Sequence, residues 1–247
     1  MLTNNVIVLG ASGEIGSVIT KYAALNDKCH ILAVARSVVP AELAQIKNVH
    51  SLSGIDLRNQ KDLLVLAQKA REVFDEPLSV IHAVGNFWGR KPLEKAPLEE
   101  NCDVVESNVL TLLGAVTSLT PVMQEKGGGR FVAFSCNSVA YTYPYMASFT
   151  SSKAFIETFV KCFAHEKAEE NISAFAVALP TIGTTKELLA KPNGDHANFI
   201  PPEVLADFIC SRVLTLPHEA TGNVLTLYRH SPDFYRTGYL ECNAVTL

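Results

Sequence analysis

An apolar run of β-branched type, Val6-Ile7-Val8-Leu9, feeds directly into Gly10-Ala11-Ser12-Gly13-Glu14-Ile15-Gly16, and a helical pattern follows to about Leu25. A strand, a glycine turn and a helix in that order leave few architectures open. Continuous apolar strands are covered on both faces, and joining them through helices makes them parallel. The pattern recurs, with apolar runs at Ile31 to Val34, Leu78 to Ala83, Phe131 to Ser135 and Ile172 to Leu179, and a less apolar strand expected at Val49 to Leu52. Helical stretches separate them: from near Asn59, from Cys102 to Glu125, from Ala147 to Ala168 and from Glu203 to Leu214. This predicts an α/β fold, a doubly wound parallel sheet flanked by helices on both faces. Ligands of such a sheet sit at the C-terminal ends of its strands.

A chain of 247 residues, 48% hydrophobic and 19% charged, suits one domain over 1–247 whose core needs no metal or disulfide staples. With 21 basic against 25 acidic residues the net charge is −4, and no basic stripe follows any expected helix, so nucleic acid is not an expected partner. The six cysteines lack metal-ligand spacing and read as reduced thiols, with no metal site expected. No basic leader precedes an apolar run, and no apolar run has the length of a membrane span, so the expected location is cytoplasmic.

The glycine turn lets backbone N–H groups and a helix N-terminus meet a pyrophosphate. Alone, a packing turn would look the same. A second stretch narrows the reading: Gly129 to Lys153, GRFVAFSCNSVAYTYPYMASFTSSK, runs from a strand through a polar, aromatic loop into an amphipathic helix. It resembles the catalytic segment of the short-chain dehydrogenase/reductase family, whose fold is Rossmann-type. In that family a strand delivers Ser, a helix delivers Tyr-x-x-x-Lys, and the Tyr hydroxyl exchanges a proton while a nicotinamide exchanges a hydride. Lys153 is in place, but four residues before it stands Phe149, and thirteen before that Cys136. Both expected hydroxyls are missing.

The rest of the resemblance implies a cofactor site. Gly10 and Gly16 fit the family's Gly-x-x-x-Gly-x-Gly, with Ser12, Gly13 and Ile15 on the same turn and Glu14 in place of the middle glycine. A carboxylate there would repel phosphates, so Glu14 is expected to point away. Arg36, after the second strand, suits a 2′-phosphate and favours NADP(H) over NAD, or is simply a solvated arginine. Asp56 matches the position that contacts adenine, or caps the helix beginning near Asn59. Gly85, Pro180 and Thr185 match further cofactor contacts, Thr185 toward the nicotinamide amide or the pyrophosphate. Asn108, in SNVLTLLGAVTSLTPVM, matches the fourth catalytic residue, which kinks its helix and holds a water for the Lys. The wide apolar surface of the helix bearing Phe155, Phe159 and Phe163 agrees with the family's habit of forming dimers or tetramers, here with itself or with another chain.

The catalytic set implied is therefore Asn108, Cys136, Phe149 and Lys153, with a substitute proton donor to be found. Tyr145 would share Phe149's helix face if the helix starts after Pro144, although helical side chains lean toward the N-terminus and would carry its hydroxyl away from Lys153. Tyr141, Tyr143 and His82 are other candidates, His82 more simply read as a hydrogen-bonded core residue. Three functions stay open. One is an NADP-dependent oxidoreductase, reducing a carbonyl or oxidising an alcohol on an apolar or aromatic molecule or acyl intermediate, with an altered proton relay. Another is an inactive, cofactor-binding subunit that supports a partner enzyme. The third is a non-redox lyase or isomerase. A polar lid is expected over Lys191 to Asn198.

Overall fold

The computed structural model describes residues 5 to 228 apart from Trp88, Arg90 and Asp195; the tail after Arg229, expected at a subunit contact, lies outside the described residues. Seven strands form one parallel sheet: β1 (Asn5–Leu9), β2 (His30–Val34), β3 (Val49–Leu52), β4 (Leu78–His82), β5 (Gly129–Cys136), β6 (Ile172–Leu179) and β7 (Val224–Thr226). Their order is β3-β2-β1-β4-β5-β6-β7. Winding reverses between β1, which pairs Val6 with Ile31 of β2, and β4, whose Ser79 lies beside Val6 on the other side. The crevice opened by that reversal is where an open α/β sheet binds ligands.

Strand residues alternate strictly between two cores. Val6 and Val8 pack with α1 (Glu14–Ala24) and α8 (Pro202–Ser211) on one face, through Ile19, Leu205, Phe208 and Ile209. Ile7 and Leu9 pack on the other with α3 (Gln60–Val73), α5 (Thr111–Glu125) and α6 (Ala147–Glu166), through Leu66, Leu112, Leu119, Ile156 and Val160. The period of two thus puts every second residue of one apolar run into each layer.

Local chemistry moved several boundaries. Asn59, not Asp56, caps α3, its Oδ1 accepting from the N–H of Lys61 at 2.9 Å and Asp62 at 3.4 Å. Helix α4 (Leu98–Val105) begins four residues before the expected Cys102, with Pro97 at its N-cap and Glu99 and Glu100 in its first turn. It runs on through an i→i+5 segment, Glu106–Leu110, into α5. The resulting Leu98–Glu125 helix, 28 residues, has the length and composition of a membrane span, which the broken apolar runs of the sequence did not suggest. Its Leu112, Ala115, Leu119, Val122 and Met123 are buried in the core, the placement of an ordinary core helix. Two short helices, α2 (Ala41–Ala44) and α7 (Thr185–Ala190), were not expected.

Candidate active site

Two joined cavities of about 1480 and 630 Å³ open at the strand C-termini, sharing Gly13, Ala83, Val84, Gly85 and Asn86. Gly10, Ser12, Arg36 and Asp56 line the smaller one; Ile15, Gly16, Asn108, Cys136, Tyr145, Phe149, Lys153 and Pro180 line the larger. Residues chosen from distant parts of the sequence converge here.

At the glycine turn the chain is packed against itself. A Cβ on Gly16 would lie 2.2 Å from the Gly10 carbonyl oxygen, so the start of α1 sits on the turn as closely as backbones allow. The Gly13 N–H donates to the Gly10 oxygen at 2.9 Å. Glu14 is exposed and borders the larger cavity. Its carboxylate crosses to the start of α7, accepting from the Thr185 N–H at 2.8 and 2.9 Å and from the Thr185 hydroxyl at 3.1 Å. Thr185 does not itself line the cleft, and both donors expected to meet a cofactor are engaged.

The junction of the cavities holds the buried polar machinery. Asn108 lies in the i→i+5 segment, a common seat of functional residues, and is fully buried. Its Nδ2 donates to the oxygens of Asn86 and Val104, each at 2.9 Å, tying the loop after β4 to the helix. Its Oδ1 is buried without a partner among the described residues. Gly85, at φ +157°, leaves room for that oxygen, which a Cβ would meet at 2.5 Å. Lys153 is buried in α6, its Nζ donating to the Phe134 oxygen at 2.9 Å and lying 5.5 Å from the Phe149 ring centroid. Burial pulls its pKa down to about 8, an effect that the nearby Cys136 partly offsets.

Phe149 is 7% exposed, its ring edge-on to Phe87 at 5.1 Å. Cys136 ends β5, half-buried on the same cleft. Phe149, Cys136 and Lys153 therefore line one cleft, and neither Phe149 nor the weak thiol donor supplies a hydroxyl. Tyr145 falls outside the helix, since α6 starts at Ala147, and the expected i, i+4 pairing with Phe149 does not form. It has φ 65°, a left-handed conformation unfavourable for so bulky a side chain. His82 lines neither cavity: it is buried, bonds Thr111 Oγ1 at 3.1 Å, and burial together with the Lys153 charge lowers its pKa to about 3.

Two cavity-lining residues, Arg58 and Tyr228, were not singled out by the sequence. Arg58, just past β3 in the smaller cavity, grips Asp56 at 2.7 Å and Glu106 at 2.7 Å. Hydrogen bonding from Arg58 holds the Asp56 carboxyl down at about 2, so this acid already has a partner. Tyr228, just beyond the C-terminal end of β7, lines the larger cavity, where strand ends present ligand contacts. Its pKa is raised by burial and by its neighbour Tyr141, to which its side chain is hydrogen-bonded.

A doubly wound sheet with a glycine turn at its switch point defines a dinucleotide-binding type of fold. The family model for short chain dehydrogenases matches residues 4–191, and the chain belongs to that family. It is 24% identical over 243 residues to glycine betaine reductase ATRR of Emericella nidulans, covering 92% of this chain and 19% of that protein. Over 152 residues it is 28% identical to dehydrogenase RED2 of Cochliobolus heterostrophus, covering 60% of this chain and 55% of that one. The chain thus spans about a fifth and about half of these two curated relatives. L-sorbose reductase from Gluconobacter frateurii, solved with NADPH and L-sorbose, matches at TM-score 0.76 and 21% identity, over 90% of this chain and 94% of that one.

Proposed function

We propose that the chain is an NADP(H)-dependent oxidoreductase acting on a carbonyl or alcohol of an apolar or aromatic small molecule or acyl intermediate, through an altered proton relay. The observation that carries this reading is the convergence of buried Lys153, the unpartnered Asn108 Oδ1 and the Gly85 backbone at the junction of two cavities. A dinucleotide fits these residues. Its pyrophosphate would lie on the turn from Gly10 to Gly16, its adenosine end in the smaller cavity by Arg36, and its nicotinamide end toward Lys153 and Pro180. When bound, that group would supply or accept the hydride. Lys153 would hold a ribose hydroxyl and favour negative charge on a reacting oxygen, and Asn108 would anchor the water behind Lys153. Phe87, Tyr141, Tyr143 and Phe149 give the cleft its aromatic wall, which supports an apolar substrate.

Arg36 makes no hydrogen bond or ion pair among the described residues, unlike Arg58, and so keeps its donors for a phosphate. Calorimetric titration is expected to give tighter binding of NADPH than of NADH, and Arg36→Ala to weaken NADPH by about tenfold or more while sparing NADH. Equal affinities, or binding of neither, would sink the assignment.

Self-association is the second part of the proposal. Phe155 is 38% exposed and heads a stacked series with Phe159 at 5.8 Å and Phe163 at 5.9 Å, while Val105 and Leu110 stay exposed on the neighbouring helix. Light scattering at micromolar concentration is expected to report at least a dimer, and Phe155→Glu to shift it toward monomer. A monomeric parent protein would count against this face as a self-contact and favour another chain there.

A further inference from the structure

We propose that Glu14 is an internal anion that latches α7 over the glycine turn, so that binding a dinucleotide and releasing α7 are one event; this rests on the dinucleotide reading above. Glu14 takes the place of a glycine in the phosphate-binding pattern, at the first turn of α1, where helix N-terminal charge favours an anion. Its two oxygens take up both donors of Thr185, 171 residues away in the chain. A phosphate approaching the turn meets a like charge, and a cofactor reaching for Thr185 finds its N–H and hydroxyl already used.

The segment that carries Thr185 is built to depend on such a bond. It is pinned at its neck, where Gly183 N–H donates to the Ile200 oxygen at 2.8 Å and Ile200 N–H to the Thr181 oxygen at 3.0 Å. Helix α7 itself buries no side chain, and its Leu189 is 74% exposed. Packing therefore does little to hold α7 down, and elements of this kind open at low free-energy cost. Charge-assisted hydrogen bonds to Glu14 supply what packing does not. Thr184 caps α7 from within, its Oγ1 accepting from the Glu187 N–H at 3.3 Å, so the helix can move as a unit when the latch is released.

Two measurements on the full chain test this with Glu14→Ala and Glu14→Gln. Without cofactor, amide hydrogen exchange over Thr185–Ala190 is expected to quicken by about tenfold in Glu14→Ala. With NADPH, calorimetry is expected to give about tenfold tighter binding in Glu14→Ala, less in Glu14→Gln, with the gap to the parent protein narrowing at high salt. Weaker NADPH binding in Glu14→Ala would overturn the proposal, because Glu14 would then close over the cofactor rather than compete with it. Unchanged exchange would overturn the latch. If neither protein binds NADPH, the dinucleotide reading and the competition both fall, while faster exchange would leave the latch itself standing.

Discussion

Phe149→Tyr combined with Cys136→Ser is expected to create NADPH-dependent reduction of simple ketones or diketones, or to raise it by about 10²–10⁴-fold, the range of a positioned general acid. Reduction needs a hydride on carbon and a proton on the developing alkoxide. The surroundings of the missing hydroxyl are in place, since Lys153 Nζ lies 5.5 Å from the Phe149 ring centroid and Asn108 is buried behind the same cleft. Phe149 faces the cleft, so an added hydroxyl can be hydrated or meet substrate, and avoids the cost of about 1–3 kcal/mol for a buried unpaired polar group. The serine would orient the carbonyl where the Cys136 thiol offers only a weak donor. If the parent protein already reduces a suitable carbonyl and the double variant gains little, the acid lies elsewhere on the cleft. Phe substitutions at Tyr141, Tyr143, Tyr145 and Tyr228 would then find it. Loss of NADPH-dependent turnover in parent and variant alike, with NADPH still bound, would favour the inactive, cofactor-binding subunit.

Much of the fold was legible because a parallel sheet covered on both faces writes itself into the sequence as apolar runs. Val6 to Leu9 could be read as a strand before its two faces were known. The glycines of the turn and of the loop after β4 were legible for a similar reason: Gly10, Gly16 and Gly85 are places where backbone crowding admits no side chain, a constraint local enough to appear as a motif. Long-range side-chain partnerships were not legible. Glu14 was expected to avoid the phosphates, but its partner Thr185 is set by how the loop after β6 folds back, which no local pattern encodes. Arg58 went unnoticed because its partners Asp56 and Glu106 come from a loop and from the i→i+5 segment. Tyr145 could share a face with Phe149 only in a helix that starts after Pro144; the helix starts at Ala147, where its pattern begins, and Tyr145 stands before it at positive φ. Tyr145, with its strained backbone, and Asn108, with its unpartnered Oδ1, both line the cleft, and neither feature is written in a local sequence pattern.

The folding stability of the protein is expected to carry the signature of Lys153. Burial lowers its folded-state pKa to about 8 from the ordinary lysine value of 10.5, so between those pH values the unfolded chain binds more protons than the folded one. Stability then rises with pH across that window, because folding no longer forces a charge into the interior. Below about pH 8 both states hold the proton and the full penalty is present; above about 10.5 neither does. At about 1.4 kcal/mol per pKa unit the difference is on the order of 3 kcal/mol. Tyrosines and cysteines titrate in the same range, so the measurement is a difference: urea unfolding of the parent protein and of Lys153→Met at matched pH. The parent is expected to gain about 3 kcal/mol on the variant between pH 7.5 and 10.5, and parallel curves would mean that Lys153 is solvated rather than held against Phe134 and Phe149. The same titration bears on catalysis, since the ammonium that favours a phenolate in the Phe149→Tyr, Cys136→Ser protein is lost above about pH 8. Its kcat is therefore expected to fall through that region, and a kcat flat to pH 10 would remove Lys153 from the proton relay.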